Sequence, residues 1–166
     1  MNKQEFEVKV LEIDEERVKI KLKSLGAVEI FNGHIAANFF KNAEGLKLRL
    51  RRMDDKNVLT YKVRQTHEAI MHNEEVEVVF DNYEGMKQIL LASGFKQYGH
   101  SEKTRVSYEY QGIHFDIDTM PGIPTFLEVE ASNVDDVKRG VELIGYTMAQ
   151  TNTLTERKLK EHYGIA

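Results

Sequence analysis

Near its start the chain reads "EFEVK", residues 5–9, with Glu5, Glu7 and Lys9 at every second position and Phe6, Val8 and Val10 between them. The same alternation returns along the chain. "LKLRLR" sets Lys47, Arg49 and Arg51 against Leu46, Leu48 and Leu50, and "TYKVR" sets Lys62 and Arg64, with Thr60 in phase, against Tyr61 and Val63. Glu75 and Glu77 then oppose Val76 and Val78, and Lys103 and Arg105 oppose Thr104 and Val106. Asp116 and Asp118 oppose Phe115 and Ile117, and Glu128 and Glu130 oppose Leu127 and Val129. A period of two belongs to β-strands, whose side chains alternate faces. Seven strands are therefore expected to carry one charged and one apolar face.

Two arrangements satisfy that pattern. In the first, an open sheet packs its apolar face on helices and turns its charges to water, as antiparallel sheets commonly do, and the protein is an interaction domain. In the second, the sheet closes into a barrel with the charges inside; eight strands suffice to enclose a small ligand. The in-phase positions favour the barrel, because they are almost exclusively Glu, Asp, Lys and Arg where a solvated face mixes in Ser, Thr, Asn and Gln. Their signs also sort by strand, acid on some and base on others, which argues against direct cross-strand pairing.

Burying an unpaired ion costs roughly several kcal/mol, so a charged interior must be wet and must serve a ligand. Guanidinium forks match phosphate oxygens. Clustered carboxylates suit a hard divalent cation such as Mg2+ or Mn2+. The eight cations (Lys9, Lys47, Arg49, Arg51, Lys62, Arg64, Lys103, Arg105) are matched by eight carboxylates (Glu5, Glu7, Glu75, Glu77, Asp116, Asp118, Glu128, Glu130). A triphosphate of about four negative charges, carried with two divalent cations, leaves that balance unchanged. Glu75 and Glu77 could hold metal or brace the cationic strands, and bracing is the expected role.

The elements that must hold these residues follow from the rest of the chain. "DEERVKIKLKSLGA" predicts a helix capped by Asp14 and stopped at Gly26, with Val18, Leu22 and Leu25 at helical spacing. "NYEGMKQILLASG" predicts a second, capped by Asp81 or Asn82, with Met86, Ile89 and Leu90 on its apolar side. "VEIFNGHIAANFF" supplies a strand without charges in phase, and Asn42 to Gly45, "MDDKN" and Gly112 supply turns. Two helices, in "NVDDVKRGVELIG" and "TLTERKLKEHY", close the chain. About eight strands and four helices without regular β/α alternation predict an α+β domain with an antiparallel barrel, one domain over residues 1–166.

Composition removes several alternatives. A net charge of −4 works against nucleic-acid binding, which needs a basic field. The absence of cysteine excludes disulfides, thiolate catalysis and zinc–cysteine sites. No signal-peptide core or spanning apolar run is present, so no membrane partner and a cytoplasmic location are expected. Glycine-rich phosphate loops are missing, leaving phosphate recognition to side chains. The histidines, at 34, 67, 72, 100, 114 and 162, lack HExxH spacing and read as surface or loop residues, though His114, in phase with Asp116, could lie near a barrel mouth.

"EFEVK" fits the E-x-E-x-K signature of the CYTH superfamily, the triphosphate tunnel metalloenzymes, and the chain resembles that family over nearly its whole length. "LRLR", "TYK", "EEVE", "EKTR", "DID" and "FLEVE" follow in the family's order. The resemblance implies an eight-stranded antiparallel tunnel with helices outside, binding a triphosphate and Mg2+ or Mn2+. It implies phosphate ligands at Lys9, Arg49, Arg51, Lys62 and Arg105, with Lys103 beside them. It also implies metal-binding carboxylates at Glu5, Glu7, Glu128 and Glu130, together with Asp116 or Asp118, and catalysis by the Glu5 and Glu7 pair. The Gly94-Phe95 pair and the step from Asp118 to Glu128 resemble the class IV adenylyl cyclase branch, which converts ATP to cyclic AMP and pyrophosphate. Ala37, where that branch usually places an aspartate, and the missing His-Phe before the signature depart from it. An inorganic or organic triphosphatase is the alternative enzyme, and a non-catalytic polyphosphate- or nucleotide-binding module the alternative of another class. A homodimer remains open beside a monomer.

Overall fold

The computed structural model describes residues 3–54, 56–65 and 69–165. Eight long strands and four helices follow one another: β1 (Lys3–Val10), α1 (Glu15–Leu25), β2 (Val28–Lys41), β3 (Lys47–Met53), β4 (Asn57–Gln65), β5 (Met71–Phe80), α2 (Tyr83–Ala92), β6 (Lys96–Tyr110), β7 (Ile113–Met120), β8 (Ile123–Ala131), α3 (Val134–Leu143), a short β9 (Thr151–Asn152) and α4 (Glu156–His162). All strand pairings are antiparallel. β1 pairs with both β8 and β5, so the order β1-β5-β4-β3-β2-β6-β7-β8 closes on itself. Closure removes the edges that an open sheet would expose. β9 takes over the β5 side of β1 at Lys9 and Val10, past the end of β5.

Closure decides which face of each strand looks inward. The apolar positions of β1, β7 and β8, namely Val8, Phe115, Ile117, Leu127 and Val129, are buried outside the barrel against Val18 and Leu22 of α1 and Val137 and Val141 of α3. Gly140 of α3 lies against this wall, where an added Cβ would meet Val129 at 2.7 Å and Ile113 at 2.9 Å. A second cluster packs Tyr83 and Leu90 of α2 on Phe40 and Leu50, and a third packs Leu159 of α4 on Met120, Ile123 and Phe126. The charged faces are left for the lumen.

Local signals hold the outside elements in place. The Asp14 side chain accepts from the backbone N–H of Arg17, and Gly26 ends α1 at φ 83°. Asn82, not Asp81, caps α2 by accepting from Gly85 N–H. Ile89 points to solvent, 60% exposed, because Tyr83, Met86 and Leu90 already form the stripe that faces the barrel. Gln111 and Gly112 both have positive φ, the turn that suits the twist of the β6–β7 hairpin. β6 begins at Lys96, seven residues earlier than "KTRVSYEY" suggests, because β2 offers it a partner over nearly its full length. Among the described residues no helix is long and apolar enough to cross a membrane.

Candidate functional site

The lumen is a cavity of about 650 Å³. Every periodic charge identified in the sequence lines it except Asp118. Asp118 is fully buried beneath two of the lumenal cations, holding Lys103 Nζ at 2.6 Å and the Arg105 Nε and Nη2 at 2.6 Å each. The signs do sort by strand, but the topology sets basic β4 beside acidic β5 and basic β6 beside acidic β7, so cross-strand pairs form after all. Lys62 stands opposite Glu75, Arg105 opposite Asp118 and Lys9 opposite Glu128. The sequence shows which sign a strand carries; only the topology shows its neighbour.

Three carboxylates converge on one side. Glu5, Glu7 and Glu130 each offer an oxygen within 4.8 Å of the others. β1 supplies two at i and i+2, and the β1–β8 register places Glu130 directly opposite Glu7. Burial works against charge on Glu5, but Lys62, a hydrogen bond with Glu75 and Lys3 together hold it down at about 2. Burial also opposes Glu7, which Lys9 and Lys62 keep below the ordinary range. For Glu130, burial and the charge of Glu5 prevail and push it up to about 7. Two ionised carboxylates and a third easily discharged make a hard oxygen donor set that fits Mg2+ or Mn2+.

Lys62 reaches from β4 to these acids, its Nζ 3.2 Å from Glu5, 3.1 Å from Glu7 and 3.2 Å from Glu75. Lys9 is buried between Glu7 at 3.2 Å and Glu128 at 3.0 Å. Arg49 touches Glu75 at 3.4 Å, while Arg51 bonds Glu77 and, at 3.0 Å, Thr60. The Nε atoms of both arginines are buried without a hydrogen-bond partner. Burial and the neighbouring Arg49 lower Arg51 to about 10, which an arriving anion would reverse. Glu75 and Glu77 pair with the cations, and burial together with a hydrogen bond donated to Glu77 raises Glu75 to about 8. Lys47 and Arg64 lie more exposed along the lumen, and Arg64 Nη2 contacts the Met71 sulfur at 2.7 Å.

Sequence reasoning missed part of the lining. Lys3 bridges Glu5 at 3.0 Å and Glu130 at 3.2 Å; it is in phase with Glu5 but lies ahead of the "EFEVK" motif. Asn73, Ser101 and Ser107 also line the lumen in the phase of their charged neighbours, but as uncharged residues they carry no charge signal in the sequence. His114 does line the lumen, whereas His34 and His100 meet Glu102 outside and His72 stacks on Phe6. His67 lies outside the described residues.

A family model for the CYTH domain matches residues 3–161. The chain belongs to the CYTH family. A Methanocaldococcus jannaschii protein named "putative adenylate cyclase" is 34% identical over 140 residues, covering 79% of this chain and 78% of that protein. Among solved structures, a "putative adenylate cyclase" from Vibrio parahaemolyticus superposes with a TM-score of 0.84 at 12% identity, covering 97% of this chain and 99% of that one. A Hippeastrum protein, described as a "putative adenylyl cyclase" that reveals a dominant triphosphatase activity, gives a TM-score of 0.67 at 17% identity, covering 100% of this chain and 97% of that one. At such identities the two structures speak for the shared fold, which is the closed tunnel expected from the charge periodicity.

Proposed function

We propose that the tunnel is the active site of a metal-dependent enzyme acting on a triphosphate, and that it cyclises ATP to cyclic AMP and pyrophosphate. One observation carries this reading: Arg49 and Arg51 keep buried N–H donors unspent while the carboxylate trio Glu5, Glu7 and Glu130 collects nearby. A polyanion alone has no use for the acids, and a cation alone has no use for the arginines. A metal–triphosphate complex uses both.

Arg49, Arg51 and Lys62 take the phosphate oxygens and stabilise charge on the departing pyrophosphate, with Lys9, Lys103 and Arg105 behind them and Lys47 and Arg64 farther along the lumen. Glu5, Glu7 and Glu130 would hold Mg2+ or Mn2+, with Glu128 and Asp116 supporting them. Bound there, the ion would lower the pKa of the attacking hydroxyl and neutralise phosphate charge. In cyclisation the ribose 3′-oxygen bonds to the α-phosphorus, the bond from that phosphorus to the bridging oxygen breaks, and pyrophosphate leaves. The hydroxyl proton passes to a carboxylate of the Glu5 and Glu7 pair. A cytoplasmic location, where ATP is abundant, follows from this reading.

Hydrolysis of a triphosphate is the second reading, supported by the activity named for the Hippeastrum protein and by Ala37. Incubation with ATP and Mn2+, and separately with inorganic triphosphate, followed by chromatography, separates the two. Cyclic AMP and pyrophosphate in equal amounts support cyclisation. Orthophosphate from triphosphate without cyclic AMP moves the assignment to a hydrolase, and no product from either removes both.

A further inference from the structure

One strand of the tunnel carries no lumenal charge. β2 presents Phe31, Ile35, Ala37 and Phe39 to the cavity, and it lies between β3, which carries Arg49 and Arg51, and β6, which carries Lys103 and Arg105. In register, Phe39 stands beside Arg49, and Ala37 beside Arg51. An apolar stripe between two basic strands is of no use to inorganic triphosphate, all of whose surface is charged or polar.

The stripe is extended at one mouth by a change of phase. Along β6 the odd positions Ser101, Lys103, Arg105 and Ser107 line the lumen, while His100 and Glu102 lie outside. Tyr98, an even position, should also face outward. The ladder is irregular at this point, with Phe39 opposite Gly99 and Phe40 opposite Gln97, so Tyr98 is the extra residue of a β-bulge. Bulges re-aim side chains, and Tyr98 lines the cavity with Phe39, their ring centroids 6.2 Å apart at 44°. Gly99, beside Tyr98 on the strand, faces the Phe39 ring across the ladder. Tyr98 remains 48% exposed at the mouth of a charged cavity, with the Lys41 Nζ 5.6 Å from its ring centroid as a mobile cover that a base can displace.

Resting on the triphosphate reading above, we infer that Phe39 and Tyr98 form the seat of a planar heteroaromatic group, so the substrate is a nucleoside triphosphate whose base stacks there. Arg49, next to Phe39, then receives the phosphates of the same molecule. Phe31 and the bulged Ile30 extend the stripe at its other end, but they offer one ring in place of two.

The chain contains no tryptophan, so Phe39→Trp creates a single fluorescent reporter in the seat while keeping an aromatic surface. A methylene-bridged ATP analogue with Mg2+ should quench it, and inorganic triphosphate with Mg2+ should not. Tyr98→Ala should lower the ratio of analogue affinity to inorganic triphosphate affinity, measured by calorimetry, about ten-fold, the loss of one base–aromatic stack. Binding of both ligands without quenching, and with that ratio unchanged, would overturn the seat while leaving the triphosphate reading intact. Quenching confined to a Phe31→Trp reporter would also overturn it, by moving the base to the other end. Failure of the native protein to bind either ligand would overturn both readings together.

Discussion

Arg105 and Arg51 lie on the strands either side of β2, and each side chain is 13% exposed, yet their surroundings differ. Arg105 is enclosed by Asp118, Asp116 and Glu128, with bonds of 2.6 Å to both Asp118 oxygens and 2.7 Å to Glu128. Burial opposes its charge, but these three acids raise its pKa well above normal. Arg51 has Glu77 and Thr60, keeps an unpartnered Nε, and is lowered by the same burial. Equal burial thus gives one cation that is part of the wall and another that is held in reserve. Residue type alone does not separate an arginine saturated by acids from one with a spare donor; the number of acids on the neighbouring strand does.

The largest effect should come from breaking the closed set. Arg105→Ala leaves Asp118 with Lys103 and Asp116 without its cation, both buried, and removing one partner of a buried ion cluster costs about 3–5 kcal/mol. Thermal unfolding should show a large drop in midpoint before ligand is added. Arg51→Ala should leave that midpoint nearly unchanged while weakening triphosphate binding about 10- to 100-fold by calorimetry, the worth of its charged hydrogen bonds. If the two substitutions exchanged these outcomes, the distinction drawn between the strands would be lost.

On the acidic side, Glu7→Gln keeps the shape of the trio but removes a charge, and turnover should fall on the order of a hundred-fold, with a raised metal requirement. Steady-state rates across a Mn2+ series measure this. The effect should exceed that of Asp118→Asn, whose side chain is covered by Lys103 and Arg105 and does not reach the open lumen. Equal losses of turnover at constant stability would place Asp118 among the metal ligands after all.

A smaller effect appears with pH. Glu130 and Glu75 are raised from the ordinary 4.5 to about 7 and about 8. Between about pH 5 and 8 the native protein therefore holds protons that the unfolded chain has released, and stability without metal falls as pH rises through that window. Glu5, held at about 2, acts in the opposite sense and withdraws stability only as pH drops below 4.5. Thermal midpoints between pH 5 and 8.5 should decline for the native protein and decline less for Glu130→Gln. The smallest change is expected from Lys47→Ala, an exposed residue of the lumen, with triphosphate affinity falling by about two- to three-fold, in the range of exposed ion pairs.

The period of two made most of this site legible, because a closed barrel turns every residue of one phase inward and Glu5, Arg49, Lys62 and Glu130 all obey that phase. The same logic applied to β2 would have flagged Ile35, Ala37 and Phe39, but apolar residues on a strand read as core by default. Two features were beyond the pattern. Strand neighbours depend on the path of the chain around the barrel, so the pairing of Lys62 with Glu75 was not visible in either segment. Tyr98 lies out of phase, and only the bulge turns it inward. Asp118 shows the opposite failure: it follows Asp116 at the lumenal spacing, but two cations cover it.

The most direct measurement is the location of ligand and metal in a crystal soaked with a methylene-bridged ATP analogue and Mn2+. The account predicts anomalous density for Mn2+ among Glu5, Glu7 and Glu130, with phosphate oxygens on Arg49 and Arg51. Manganese outside the tunnel, or phosphates that leave both arginine Nε atoms unpartnered, would contradict it.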